Sequence, residues 1–226
     1  MKKILVSIVA MLMAAPSFAQ FSSGGFDLSK ENVYYGLRLG LNLASVSGDQ
    51  VAGYKADLGT KSGMVLGGVI GLRVSDSTPL FLESGLYYSE RGGKSDRITA
   101  NYNCIDIPLL IKYGIQVSDN IALLPYVGPY VSRAFTGKTK QPHIDKDGNA
   151  TSVMDKVGTF DEEQARTGGF KRLNMGFKIG CGAEYNKLYL EAGYQFGVSN
   201  IAKGGSNEVD MSAHSNALYV NFGVNF

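Results

Sequence analysis

Apolar and polar positions alternate with period two along most of the chain. From Val33 to Ala44, Val33, Tyr35, Leu37, Leu39, Leu41 and Leu43 share one face, with Tyr34, Gly36, Arg38, Gly40, Asn42 and Ala44 on the other. A helix would scatter these leucines around its axis, whereas a strand puts them on one side. The pattern recurs in six further segments, around 64–74, 80–91, 104–113, 173–185, 188–198 and 218–226. A less regular one, 121–134, is interrupted by Pro125 and Pro129 and follows a strand that holds Pro108. Proline cannot donate to a ladder, so a bulge or weak pairing is expected there. Eight strands result.

The connections alternate in length. Ser75–Pro79, Gln116–Asn120 and Asn186-Lys187 read as tight turns, while the stretches near 45–63, 92–100, 136–168 and 202–214 are longer. Long strands with short turns at one end and long loops at the other predict an all-β, eight-stranded antiparallel up-and-down transmembrane β-barrel. An even strand number puts both termini on the short-turn side, expected to be periplasmic. A soluble eight-stranded barrel would instead bury its apolar face and show charge outside. Here the non-apolar face is glycine-rich and suits a narrow interior, and the leucine face suits lipid. Tyr35, Tyr88, Tyr113, Tyr185, Phe222 and Phe226 are placed to form interfacial girdles.

The first residues carry a different signal. Lys2 and Lys3 precede a short apolar run, Ile4 to Ala15, and Ser17-Phe18-Ala19 supplies small residues for cleavage. Residues 1–19 therefore read as a signal peptide, 20–32 as an N-terminal periplasmic segment and 33–226 as the barrel. The formal charge of the 226-residue chain is +2, which those two lysines account for. A strongly basic nucleic-acid binder is excluded as the default. No apolar run reaches the length of a transmembrane helix.

Lumen-facing charges follow from the alternation: Arg38, Glu83, Arg91, Asp106, Lys112, Lys178, Glu184 and Glu191. Glu83 with Lys112, and Arg91 with Asp106, are expected to pair, because lone buried charges are costly. Eight strands leave room only for side chains, so a structural plug is expected rather than an ion path. His143 and His214 fall in long loops, and Ser212, Ser215 and Asp210 near His214 are ordinary loop neighbours, so no catalytic residues are assigned. Asp145 to Asn149 lacks the ligands of a calcium loop and reads as a hairpin tip. Asn149-Ala150-Thr151 matches a glycosylation acceptor by chance. Cys104 and Cys181 lie on different faces of non-adjacent strands and are expected to be free thiols, with no zinc site. No cofactor or metal is expected.

Three segments and the final residue resemble one family. Leu80-Phe81-Leu82-Glu83-Ser84-Gly85-Leu86-Tyr87-Tyr88, Ile105-Asp106-Ile107-Pro108-Leu109-Leu110-Ile111-Lys112-Tyr113, Pro125-Tyr126-Val127-Gly128-Pro129-Tyr130 and a terminal Phe226 resemble the PorT-like, porin-like outer-membrane barrels of Bacteroidetes-type bacteria, small barrels of the OmpX-like kind. The resemblance implies residence in the bacterial outer membrane, in contact with its lipid, and insertion by the barrel-assembly machinery with Phe226 as the signal. It names no catalytic residues. The resulting expectation is a non-enzymatic structural or interaction component of the envelope, linked by the resemblance to protein secretion. The alternative is small-molecule binding or passage through the barrel or its outer loops. The 136–168 connection, with Val153-Met154 and Val157, is expected to extend the fifth and sixth strands as a hairpin that could recruit an envelope protein by added strand pairing.

Overall fold

A computed structural model describes residues 32–48, 58–75, 77–94, 98–144, 150–160, 170–202 and 212–226; side chains at 141, 142, 144 and 150–154 are left aside. The expected signal peptide and nearly all of the 20–32 segment lie outside the described residues. Ten strands occur among the described residues: β1 (Val33–Gly48), β2 (Leu58–Arg73), β3 (Leu80–Lys94), β4 (Thr99–Tyr113), β5 (Ile115–Ser118), β6 (Ile121–Ile144), β7 (Ala150–Gly158), β8 (Leu173–Tyr185), β9 (Leu188–Gly197) and β10 (Ala213–Asn225). Eight of them, all but β5 and β7, pair antiparallel with their neighbours and close through β1–β10 and β4–β6 into a barrel. Closure leaves no edge within the wall, which is the condition for placing strands in lipid.

The alternation of the sequence becomes an inside and an outside. Leu39, Leu41, Ile107, Ile111, Ile179, Leu190 and Phe222 are exposed on the outer surface. On the same strands Arg38, Asn42, Asp106, Lys112, Lys178, Glu191 and Asn221 are buried within. This inverts the arrangement of a soluble barrel. On β6 the outward aliphatic residues run from Ile121 to Val131, ~25 Å along the axis of a tilted barrel, the height of the lipid-facing band in such proteins. Tyr35, Tyr113, Tyr185 and Phe226 are exposed near the end where the short turns lie, where amphipathic rings favour the interface.

Asn186 and Lys187 both have positive φ (46° and 74°) and join β8 to β9. That is the two-residue hairpin turn whose twist matches its strands. The expected turn at 116–120 is partly strand, because β5 folds back on the start of β6.

Pro108, Pro125 and Pro129 produce no bulge. β6 pairs with β8 without a shift from Ile121↔Tyr185 to Arg133↔Leu173. The β4–β6 ladder skips the Leu109 and Leu110 positions but resumes in the same register. Each proline removes one donor, which opens a rung without adding a residue. The register shifts of the barrel wall instead lie toward the long loops, at Ala44/Val46, Gly59/Val65 and Asn103/Cys104. There β6 continues past the wall and pairs with β7, from Lys138↔Gly158 to Ile144↔Ala150. The expected outward hairpin is thus β6–β7; its return strand is separate from β8, which starts only at Leu173.

Candidate functional site

Glycines of the wall make room for the rings that fill the lumen. Gly71 pairs with Tyr34, Gly67 with Tyr87, Gly180 with Tyr126 and Gly193 with Tyr219 across neighbouring strands. A Cβ on any of these glycines would run into the tyrosine beside it; at Gly193 it would stand 2.6 Å from Tyr219 Oη. The glycine face is therefore a set of sockets for tyrosines, and the hydroxyls of Tyr126 and Tyr219 meet at 2.9 Å.

Near the turn end, Glu83 is the centre of a buried cluster. Its Oε2 accepts a hydrogen bond from Tyr34 Oη at 2.7 Å, pairs with Lys112 Nζ at 2.8 Å and lies 3.7 Å from Arg38 Nη2. Arg38 also donates to Asn225 Oδ1 at 2.6 Å, and its guanidinium stacks 4.0 Å over the Tyr189 ring. Asn225 Nδ2 donates to Glu184 Oε2 at 2.8 Å. Lys112 donates to Tyr189 Oη at 2.8 Å, Tyr189 donates to Glu191 at 3.2 Å, and Asn221 donates to the other oxygen of Glu191 at 2.7 Å. One connected network thus spans six strands of the barrel.

Toward the loop end a second cluster follows. Arg91 pairs with Asp106 and also donates to Gln195 Oε1 at 2.9 Å and Ser89 Oγ at 3.3 Å. Lys178 lies between the clusters in a different environment. Its ammonium stands 5.0 Å from the centre of the Tyr87 ring, 5.1 Å from Tyr219 and 5.9 Å from Tyr130. It makes no ion pair within 4 Å among the described residues, so aromatic faces carry its charge.

The eight interior charges balance, four cations against four carboxylates. Their distribution is uneven: Arg38 and Lys112 face Glu83, Glu184 and Glu191, whereas Arg91 and Lys178 face Asp106. Above them the loop end is closed by apolar side chains. Val46, Leu58, Ala100, Phe170, Ile201, Ala202 and Ala213 form a buried cluster, with Ile98 and Phe160 against it. The inward fold of this cap is held by Phe170 N donating to Thr159 O at 3.0 Å and Lys171 N to Ile201 O at 2.6 Å.

Cys104 is buried and Cys181 is exposed, and both are free. His143 Nδ1 lies 2.8 Å from Asp155 Oδ2 across the β6–β7 hairpin. His214 sits opposite Ser47, and the adjacent Ser215 is buried against Tyr102 at 2.6 Å. Asp210 and the Asp145–Asn149 tip lie outside the described residues. No group of three or more metal-ligating side chains occurs among the described residues. Phe226 points outward, and its backbone exchanges two hydrogen bonds of 2.9 Å with Tyr35.

The tyrosine sockets and the apolar cap were not anticipated from sequence. The first had a readable signal, since tyrosines and glycines share the inward parity. The second had none, because Phe160, Phe170 and Ile201 sit in aperiodic connections.

The model of the outer membrane protein beta-barrel domain matches residues 18–203. The chain belongs to this family. It is an outer-membrane β-barrel protein of the small-barrel type. No functionally curated protein matches the sequence. Among solved structures, Neisserial surface protein A is similar at 16% identity over 87% of this chain and 100% of its own, with a TM-score of 0.45. A major outer membrane protein from Thermus thermophilus shares 10% identity over 87% and 100%, TM-score 0.44. OprG from Pseudomonas aeruginosa shares 16% over 88% and 99%, TM-score 0.41.

Proposed function

We propose that the protein is a non-enzymatic structural or interaction component of the outer membrane whose lumen does not conduct. The observation that carries this reading is the filled interior. The hydrogen-bonded and ion-paired network from Tyr34 to Asn225 occupies the turn end, and an apolar cluster occupies the loop end. A route for a solute would have to break ion pairs at one end and displace an apolar cap at the other. The turn end, with both strand termini, faces the periplasm. Residues 1–19 direct export, and Phe226 serves recognition by the assembly machinery.

With the interior filled, activity belongs to the loop end. β7 pairs with the loop end of β6, above the start of β8, and with no other described strand. An unpaired edge offers backbone donors and acceptors to a partner strand. The partner is an envelope protein, and the PorT-like resemblance suggests one tied to secretion.

A tag inserted between Gly148 and Asn149 allows capture from gently solubilised envelopes. The expected result is a stoichiometric protein partner that is lost when residues 141 to 160 are deleted. Recovery of the barrel alone would overturn the interaction role.

A further inference from the structure

Among the described residues, exposed cations gather along one wall at the loop end. β3, β4, β6 and β7 bring Lys94, Thr99, Lys140 and Lys156 into one row, since Lys94 pairs with Thr99, Thr99 with Lys140 and Lys140 with Lys156. Lys138 lies two residues below Lys140 on the same outward face, and Thr139 between them is buried. Further down, Arg133 pairs across to Leu173, and the adjacent Arg172 donates to Phe135 O at 3.0 Å. All six cations are exposed, and none has a carboxylate within 4 Å among the described residues. Of the described acids nearby, Asp155 is engaged with His143 and Glu90 with the Tyr88 hydroxyl.

Height separates these cations into two tiers. Arg133 follows Val131, the last outward aliphatic residue of the β6 band. Among the described apolar side chains of that strand only the aromatic ring of Phe135 is exposed beyond it, so Arg133 stands at the membrane surface. Arg172 is beside it, with exposed Phe135 between them. Lys138 and Lys140 are five and seven residues farther along β6, ~13 and ~18 Å higher for a strand of this tilt. A phospholipid headgroup layer is only about 5–7 Å thick. Even with their stems bent toward the membrane, Lys140 and Lys156 rise above it. A phospholipid phosphate can meet the arginines but not the lysine row.

We infer that this wall binds an anionic glycolipid, with a phosphate near the acyl chains held by Arg133 and Arg172 and acidic groups on the sugars above it held by Lys138, Lys140 and Lys156. Arginine suits the lower tier because its fork meets phosphate oxygens in pairs. The lysines act as point charges for a head of looser geometry. The inference rests on the barrel spanning the outer membrane with its loop end outward, the orientation proposed above, and not on the role proposed for the β7 edge.

The test is native mass spectrometry of the full-length barrel in detergent, titrated with phosphatidylglycerol, lipid A and a lipopolysaccharide bearing phosphorylated core sugars. Wild-type protein should hold the core-bearing lipid at least tenfold more tightly than lipid A. R133Q/R172Q should weaken all three lipids, and K138Q/K140Q/K156Q should erase only the preference for the core. K138R/K140R/K156R should keep it. Folding of each variant is read from its heat-dependent electrophoretic mobility, and the preference should vanish in 1 M salt, where screening is nearly complete. Equal binding of lipid A and the core-bearing lipid, or an unchanged lysine-to-glutamine variant, would overturn the inference. So would competition by the free core sugar as strong as by the intact lipid. The glutamine variants keep the β6–β7 backbone, so loss of a protein partner and loss of lipid preference are separate outcomes.

Discussion

At the residue scale the interior cations hold their charge in two ways, and they should respond oppositely to removal. Lys112 is paired with Glu83 at 2.8 Å, within a cluster that also uses Tyr34 and Arg38. Replacing Lys112 by Met leaves Glu83 with less compensation, and breaking a buried pair from one side costs about 3–5 kcal/mol. Lys178 has tyrosine rings and no ion pair among the described residues. Three ring faces return about 2 kcal/mol or more when desolvated, less than the several kcal/mol that burying an ammonium costs. Urea unfolding of the barrel in lipid vesicles should show Lys112→Met strongly destabilised and Lys178→Met unchanged or more stable. A large loss for Lys178→Met would mean that the cage stabilises more than these magnitudes allow. The identity of the eight inward charges was legible in the alternation, because parity alone assigns a face. Their partners were only partly legible. Glu83 and Lys112 lie on adjacent strands, whereas the links from Arg38 to Asn225 and from Lys112 to Tyr189 depend on closure of the barrel.

At the element scale, the wall depends on glycine where a neighbouring tyrosine lies flat against it. A methyl at Gly180 would meet the Tyr126 ring, which cannot swing away because its hydroxyl bonds Tyr219 Oη at 2.9 Å. Overpacking of this kind costs about 1–3 kcal/mol, so Gly180→Ala should lower the unfolding midpoint in urea, and Gly68→Ala, where the nearest atom is 3.9 Å away, should not. The β8–β9 turn gives the opposite sign. Lys187 adopts φ 74°, a conformation that costs a residue with a Cβ roughly 1–2 kcal/mol. Lys187→Gly should therefore stabilise the barrel by about 1 kcal/mol in the same assay. Strand number, facing and the short turns were legible because period and turn chemistry are local. The prolines were half legible: weak pairing occurs where a bulge or weak pairing was expected, and the choice was open because a missing donor and an added residue look alike in sequence. Only the cross-strand register separates them, and at Pro125 and Pro129 it runs on unbroken.

At the scale of the whole molecule, an apolar outside and a polar inside filled by side chains among the described residues define a membrane wall. Neither end of the lumen resembles an entrance: ion pairs and stacked rings close the turn end, and Phe170 and Ile201 lie in the apolar cap at the loop end. What remains accessible is the loop-end surface, with an unpaired β7 edge and a wall of cations. The closure itself was legible as a count of eight strands, but the cap was not, since its residues come from connections without a period. The most direct measurement is single-channel recording of the purified, folded barrel in planar lipid bilayers. The filled lumen predicts a flat baseline at all moderate voltages. Stable, discrete current steps that change in size when Lys112 or Glu83 is substituted would contradict it.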